Sequence, residues 1–253
     1  MKVLIYDQPY ILINNLLIFW LNYATECIEQ KGRFTVALSG GKTPVELYTR
    51  LSAIDKFDIW KNTYVFLADE RAVPDEHPDS NLRSLKEHLL DFVPIPEKNI
   101  YPIPTNTGSA ETSALYYEGL LEEFFELPVG AKPHFDLVLL GIGEDGHTAS
   151  LFPRDINLEE KDRLVISARP ENVKHERISL SLPVINQAHK IIFLVTGKNK
   201  STVVEGVFSR DPLLPASKVD PASGELLLFT DAAAARLLPK ENGRNEGEAL
   251  IIE

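Results

Sequence analysis

Short apolar runs alternate with helix-periodic stretches along nearly the whole chain, and no other feature restricts the fold as much. Strand-like runs fall at 3–6, 35–38, 64–68, 135–140, 164–168, 178–182, 191–196 and 226–229, and helical patterns at 10–30, 44–53, 80–90, 110–126, 199–208 and 231–238. Strands that alternate with helices pair in parallel, because each crossover helix returns the chain to the same edge. The expected class is therefore α/β: a three-layer αβα arrangement, a mostly parallel Rossmann-like sheet with helices on both faces. At 253 residues and 44% apolar composition the chain can fill one large core, and one domain over 1–253 is expected, with the polar stretch from Pro239 onward (239–253) as a mobile tail. The proline-punctuated stretch 94–104 reads as a surface crossing between elements.

Residues 10–21 form an apolar stretch that could pass for a membrane or signal segment. Asn14 and Asn15 interrupt it, it is shorter than a bilayer span, and no small-residue cleavage site follows; a buried helix with Leu12, Leu16, Phe19 and Tyr23 along one side is expected instead. No membrane partner is expected. The formal net charge of −11 and the absence of a basic cluster argue against nucleic acid as a partner. A single cysteine, Cys27, excludes an internal disulfide, a zinc site built on a cysteine pair and a CxxC redox motif, so a cytoplasmic location is expected. An anionic ligand would be repelled by the overall field and must be held by a local concentration of donors.

The segment 36–44, VALSGGKTP, resembles the end of a nucleotide P-loop. The first glycine of G-x-x-x-x-G-K-[ST] should stand at Val36, and it does not. What remains is a buried strand, the turn Ser39-Gly40-Gly41 and a helix start near Lys42, Thr43 and Pro44, where proline loses no helix hydrogen bond. Such a turn exposes backbone N–H groups beside a helix N-terminus and can hold an anion; it can equally be a plain strand-to-helix connection.

Open α/β sheets bind ligands at the carboxyl ends of their strands. Besides the glycine turn, two such ends are rich in chemistry: Asp69-Glu70-Arg71 with Val73-Pro74, His77 and Asp79-Ser80-Asn81, and the run from Gly141 to Pro153. In the latter, Gly143 and Gly146 allow tight turns while Asp145 and His147 place a carboxylate and an imidazole on one short loop. An imidazole can take a proton from water, and a neighbouring carboxylate sets its tautomer and stabilises its charged form. No HExxH motif occurs, and His77, His88, His134, His175 and His189 show no ligand spacing, so no metal and no cofactor are expected. Ser39 lacks the first glycine of G-x-S-x-G and is not read as a nucleophile.

These segments resemble the motifs of the glucosamine-6-phosphate isomerase/6-phosphogluconolactonase family: Leu38 to Gly41 with Thr43-Pro44, Asp69 to Asn81, and Gly143-Glu144-Asp145-Gly146-His147-Thr148-Ala149-Ser150-Leu151-Phe152-Pro153. The similarity extends through Arg177-Ile178-Ser179-Leu180, Thr196-Gly197-Lys198 and Asp231 to Ala234. It implies hydrolysis of 6-phospho-D-glucono-1,5-lactone in the oxidative pentose phosphate pathway. His147 would be the base and Asp145 its orienter, with Ser39, Gly40, Gly41, Lys42, Thr43, Asp69, Arg71, Gly143, Glu144, Gly146, Arg177 and Lys198 around the substrate. Lys42 departs from the serine more usual in the family. The deaminase branch continues G-H-I-A-F-N-E-P, with an acid where this chain has Phe152, which favours the lactonase branch. A deaminase or isomerase activity and a non-catalytic sugar-phosphate sensor are the alternatives.

Overall fold

The computed structural model describes residues 1–54, 57–170, 173–239 and 243–252. Among the described residues there are twelve strands: β1 (Lys2–Tyr6), β2 (Phe34–Leu38), β3 (Thr63–Leu67), β4 (Asp69–Arg71), β5 (Ile100–Tyr101), β6 (Leu137–Leu140), β7 (Val165–Ala168), β8 (Arg177–Leu180), β9 (Lys190–Val195), β10 (Glu225–Asp231), β11 (Arg244–Glu246) and β12 (Ala249–Ile252). Seven α-helices accompany them: α1 (Pro9–Lys31), α2 (Lys42–Ser52), α3 (Phe57–Lys61), α4 (Asn81–His88), α5 (Ala110–Phe125), α6 (Leu182–Ile185) and α7 (Ser201–Phe208).

Nine strands form one sheet in the order β11-β12-β1-β10-β9-β6-β2-β3-β5, and every pair from β1 to β5 is parallel. All residues of β2 and β6 are buried, the signature of strands covered on both faces, and the helices lie around this sheet. The strand order reverses between β2 and β6: the chain leaves β2 toward β3 and later returns to β6 on the other side. The crevice beyond their carboxyl ends is the topological switch point, where such sheets bind ligands.

A second, antiparallel sheet, β4-β8-β7, stands at this carboxyl end. The runs 164–168 and 178–182, expected among the strands of the parallel sheet, lie here, and Asp69–Arg71, read as a loop, is its edge strand. Ala68 joins the two sheets, its N–H donating to the Leu38 carbonyl at 2.8 Å and its carbonyl accepting from Leu180 N–H at 2.8 Å. The Tyr117 hydroxyl of α5 bonds both the N–H and the carbonyl of Leu67 at 3.0 Å, fixing the root of the same segment.

Helix α1 is long and apolar enough to cross a membrane, yet Leu12, Ile13, Leu16, Trp20, Ala24 and Cys27 form an inward stripe in the core cluster. Trp20 is the anchor of that stripe, packing at 5.2 Å on Phe34 and 5.4 Å on Trp60, while Phe19 and Tyr23 lie at its half-buried margin. Two other expectations are corrected. The alanine-rich stretch 231–238 is a series of turns: the buried Asp231 carboxylate takes the Ala234 N–H at 2.8 Å as a helix cap does, but the turn bonds from Ala235 N–H to the Asp231 carbonyl and from Leu238 N–H to the Ala235 carbonyl do not continue into a regular helix. Of the expected tail, residues 240–242 and 253 lie outside the described residues, but 244–252 form a hairpin whose β12 pairs antiparallel with β1. The apolar run Ala249–Ile252 gives that hairpin an inward face, with Ala249, Ile251 and Ile252 buried. The crossing 94–104 contains the short edge strand β5, where Tyr101 stacks on Phe66 at 4.5 Å.

Candidate active site

At the switch point a cavity of about 520 Å³ opens, lined from β2 by Ser39 to Pro44, from β4 and β8 by Asp69, Arg71 and Arg177, from the loop after β6 by Gly141 to Gly143, His147, Ala149, Ser150 and Phe152, and from the turn after β9 by Thr196, Asn199 and Lys200. Of the residues expected at the substrate, Ser39, Gly40, Gly41, Lys42, Thr43, Asp69, Arg71, Gly143, His147 and Arg177 line it.

The glycine turn is shaped by its neighbours. A Cβ on Gly40 would stand 1.8 Å from Asn81 Oδ1, so only glycine lets the turn close on α4, and Gly41 takes φ +103°. Helix α2 starts directly after it without a side-chain cap, leaving its first N–H groups to a ligand or water. The Ser39 hydroxyl is buried with no hydrogen-bond partner, while its carbonyl accepts from the buried Tyr48 hydroxyl at 2.6 Å.

Facing the turn, Arg71 and Arg177 are direct cross-strand partners in the β4–β8 pair. Like charges opposite one another in a sheet are destabilising, and burial with the Arg71 charge pushes the Arg177 guanidinium below its ordinary pKa. Arg177 Nη1 is buried without a hydrogen-bond partner. An anion between the two guanidinium groups would satisfy this arrangement. Arg71 is aimed by bonds from Nη1 to the Asp79 carbonyl (3.1 Å) and to Asn81 Oδ1. The buried Glu70 carboxylate accepts the N–H groups of Arg71, Asn81 and Leu82 at 2.7–2.8 Å, so it locks β4 to the start of α4. Burial raises its pKa, against the lowering effect of those N–H groups. Asp69 accepts from Ser150 Oγ at 2.6 Å, tying this wall to the histidine loop.

In that loop, His147 Nδ1 lies 2.6 Å from Asp145 Oδ1, which also accepts the His147 backbone N–H at 3.2 Å. An ionised carboxylate can only accept, so Nδ1 carries the hydrogen, and in the neutral imidazole Nε2 has the free lone pair. Burial raises the pKa of Asp145, but the His147 charge and N–H bonds outweigh it and hold the group below its ordinary value. A Cβ on Gly143 would sit 2.1 Å from His147 Nδ1 and 2.6 Å from Asp145 Oδ1; the pair exists because that position has no side chain. Gly146 takes φ +85° and lies against Leu214. Phe152 packs on the imidazole with ring centroids 4.8 Å apart.

Four expected residues do not line the cavity. Asp145 acts on it through His147, Gly146 shapes the loop, and exposed Glu144 accepts from Asn199 Nδ2 at 2.7 Å. Lys198 is exposed; two residues on, Lys200 lines the cavity and its Nζ donates to the Ile142 carbonyl at 2.7 Å. Both lysines lie in one short turn after β9, and only its pitch, set by Gly197 at φ +98° and held by the Asp231 carboxylate, distinguishes them.

Fold and site together define a doubly wound α/β protein with a cationic, histidine-bearing cleft at its switch point. The chain belongs to the glucosamine-6-phosphate isomerases/6-phosphogluconolactonase family, which matches residues 8–228. It is 41% identical over 231 residues to a 6-phosphogluconolactonase of Synechocystis sp., covering 90% of this chain and 94% of that one. It is 44% identical over 209 residues to one of Nostoc sp., covering 82% and 85%. Among solved structures, the 6-phosphogluconolactonase of Leishmania guyanensis superposes with a TM-score of 0.84 at 27% identity, covering 94% of this chain and 98% of that one. A monomeric glucosamine-6-phosphate deaminase shares the fold at 20% identity and a TM-score of 0.77, covering 94% and 100%.

Proposed function

We propose that the protein hydrolyses 6-phospho-D-glucono-1,5-lactone to 6-phospho-D-gluconate, the lactone-opening step of the oxidative pentose phosphate pathway. The observation that carries this is one cavity holding a carboxylate-oriented imidazole with a free Nε2 and, across from it, two opposed arginines with a buried, unpartnered guanidinium nitrogen. The likeness to the two cyanobacterial 6-phosphogluconolactonases over most of their lengths supports the substrate.

In this reading Arg71, Arg177, Lys200 and the Ser39–Thr43 turn hold the phosphate, which leaves the lactone carbonyl toward His147. His147 Nε2 takes a proton from water as its oxygen bonds to the carbonyl carbon, and Asp145 stabilises the imidazolium. The tetrahedral intermediate collapses by breaking the bond from that carbon to the ring oxygen. The ring oxygen receives the proton from His147, and the new carboxyl group ionises in water. No step changes an oxidation state, and an activated ester needs only a base and oxyanion donors, so turnover should survive exhaustive EDTA treatment and dialysis and gain nothing from Mg²⁺, ATP or NADP⁺. If chelation abolished turnover and a divalent ion restored it, the direct base mechanism would be wrong. The deciding experiment for the function is hydrolysis of 6-phosphogluconolactone with the spontaneous rate subtracted; turnover no faster than that background would reject it.

A further inference from the structure

The fold brings together two histidines and an aspartate that the sequence keeps far apart. His77 and Asp79 lie on the loop between β4 and α4, and His175, 96 residues beyond Asp79, lies on the segment entering β8. Asp79 Oδ2 is 3.0 Å from His175 Nε2 and 3.9 Å from His77 Nδ1, and one ligand atom from each residue lies within 4.8 Å of the others. We propose that His77, Asp79 and His175 form a binding site for a borderline divalent cation of the zinc type at the rim of the cavity, apart from the His147–Asp145 pair.

Two imidazole nitrogens and one carboxylate oxygen are the donor set such ions select over magnesium or calcium. Ligands 2.0–2.2 Å from a tetrahedral ion stand roughly 3.3–3.5 Å from one another, so the two measured separations bracket what a small shift would reach. His77 Nδ1 accepts the Asp79 N–H at 3.0 Å, so it carries a lone pair, which that N–H engages. An ion would take that lone pair, leave the N–H to water, and displace the proton that His175 Nε2 shares with Asp79. The side chains are 31%, 47% and 16% exposed, which leaves room for a water as the remaining ligand. One group competes: Lys174 Nζ lies 3.4 Å from Asp79 Oδ2, but that side chain is 73% exposed and can swing into solvent.

The site would cross-link the loop that follows Arg71 on β4 to the segment that leads into Arg177 on β8. Arg71 bonds the Asp79 carbonyl, and Arg177 follows His175 by two residues. The proposal does not depend on which substrate the cavity takes.

The test is calorimetric titration of the full chain, stripped with chelator, with Zn²⁺ alone, and absorbance titration with Co²⁺ as the spectroscopic probe. One saturable ion per chain is expected, retained in His147→Ala, lost in His175→Ala and in Asp79→Asn, and tighter in Lys174→Ala because a competing cation is gone. Far-UV circular dichroism of each variant shows that it is folded, and the two independent ligand substitutions guard against one of them failing. Absence of saturable binding in the parent protein would overturn the proposal. So would a site that persists in both His175→Ala and Asp79→Asn, or one lost in His147→Ala.

Discussion

On one wall of the cavity, the carboxylate and imidazole stand two residues apart on a glycine loop, and their geometry is set by the short chain between Gly143 and His147. On the opposite wall, Arg71 and Arg177 meet only because β4 and β8 pair, and β4 is held in place by Asn81 of α4, which bonds Glu70 and Asp69, and by Tyr117 of α5, which bonds Leu67 just before it. The first wall is local and covalently close; the second is tertiary. The local wall can present a base at a fixed distance from its orienter at little cost in long-range structure. The tertiary wall can force two cations together, which no local segment does stably, and so stores a demand for an anion.

The proposed division of labour is broken most directly at the local wall. His147→Ala should lower kcat by about 10²–10⁴-fold, the usual contribution of a general base, with KM nearly unchanged. Gly143→Ala should come next: the added methyl overlaps His147 Nδ1 and Asp145 Oδ1, so the pair must separate. Steady-state kinetics should show kcat falling toward the His147→Ala level in a protein that still folds. A Gly143→Ala enzyme with full turnover would show that the 2.6 Å Asp145–His147 contact is not needed.

The same contrast explains what could be read in advance. Asp145, His147 and their glycines are close in sequence, so loop chemistry alone marked them, and the strong apolar runs of β1, β2, β3, β6, β9 and β10 gave the parallel sheet. The short antiparallel sheet was not legible. Asp69–Arg71 has no strand-like apolar pattern, and it becomes a strand only because Arg177–Leu180 offers it partners. Lys200 was missed in favour of Lys198 because a turn of three residues decides which lysine faces inward. The meeting of His77 and His175 is a product of the same tertiary pairing, and no spacing rule reaches it.

At the tertiary wall the expected effects are smaller and fall on affinity. Arg71→Ala and Arg177→Ala should each raise KM roughly 10–100-fold, the range for a charge-assisted hydrogen bond of about 1.5–3 kcal/mol, with a much smaller change in kcat. Thermal unfolding without substrate should separate them. Arg71→Ala removes bonds to Asp79 and Asn81 and should lower Tm. Arg177→Ala removes a crowded cation whose Nη1 has no partner, and Tm should hold or rise. If Arg177→Ala leaves KM untouched, the anion lies elsewhere.

The smallest expected effect concerns how the two walls respond to acid, because their carboxylates are shifted in opposite directions. Burial pushes Glu70 upward, so its effect on stability is most favourable below the ordinary carboxylate pKa and declines as pH rises through the higher folded value. At Asp145 burial also pushes upward, but the His147 charge and N–H groups prevail, and the folded value falls below the ordinary 3.8. Its contribution is therefore full above that ordinary value and disappears as pH falls through the lower folded one. Asp145→Asn keeps the shape but loses the charge, so it should unfold at a lower temperature than the parent at pH 6. The gap should close as the pH falls well below the ordinary carboxylate value. Because the side chain is half exposed, solvent screens the interaction and the gap should be modest. Thermal melts from pH 7 down to pH 2 provide the check. A gap that stayed constant, or widened in acid, would mean that the Asp145 carboxylate is not held ionised by His147, and the tautomer assigned to the base would lose its support.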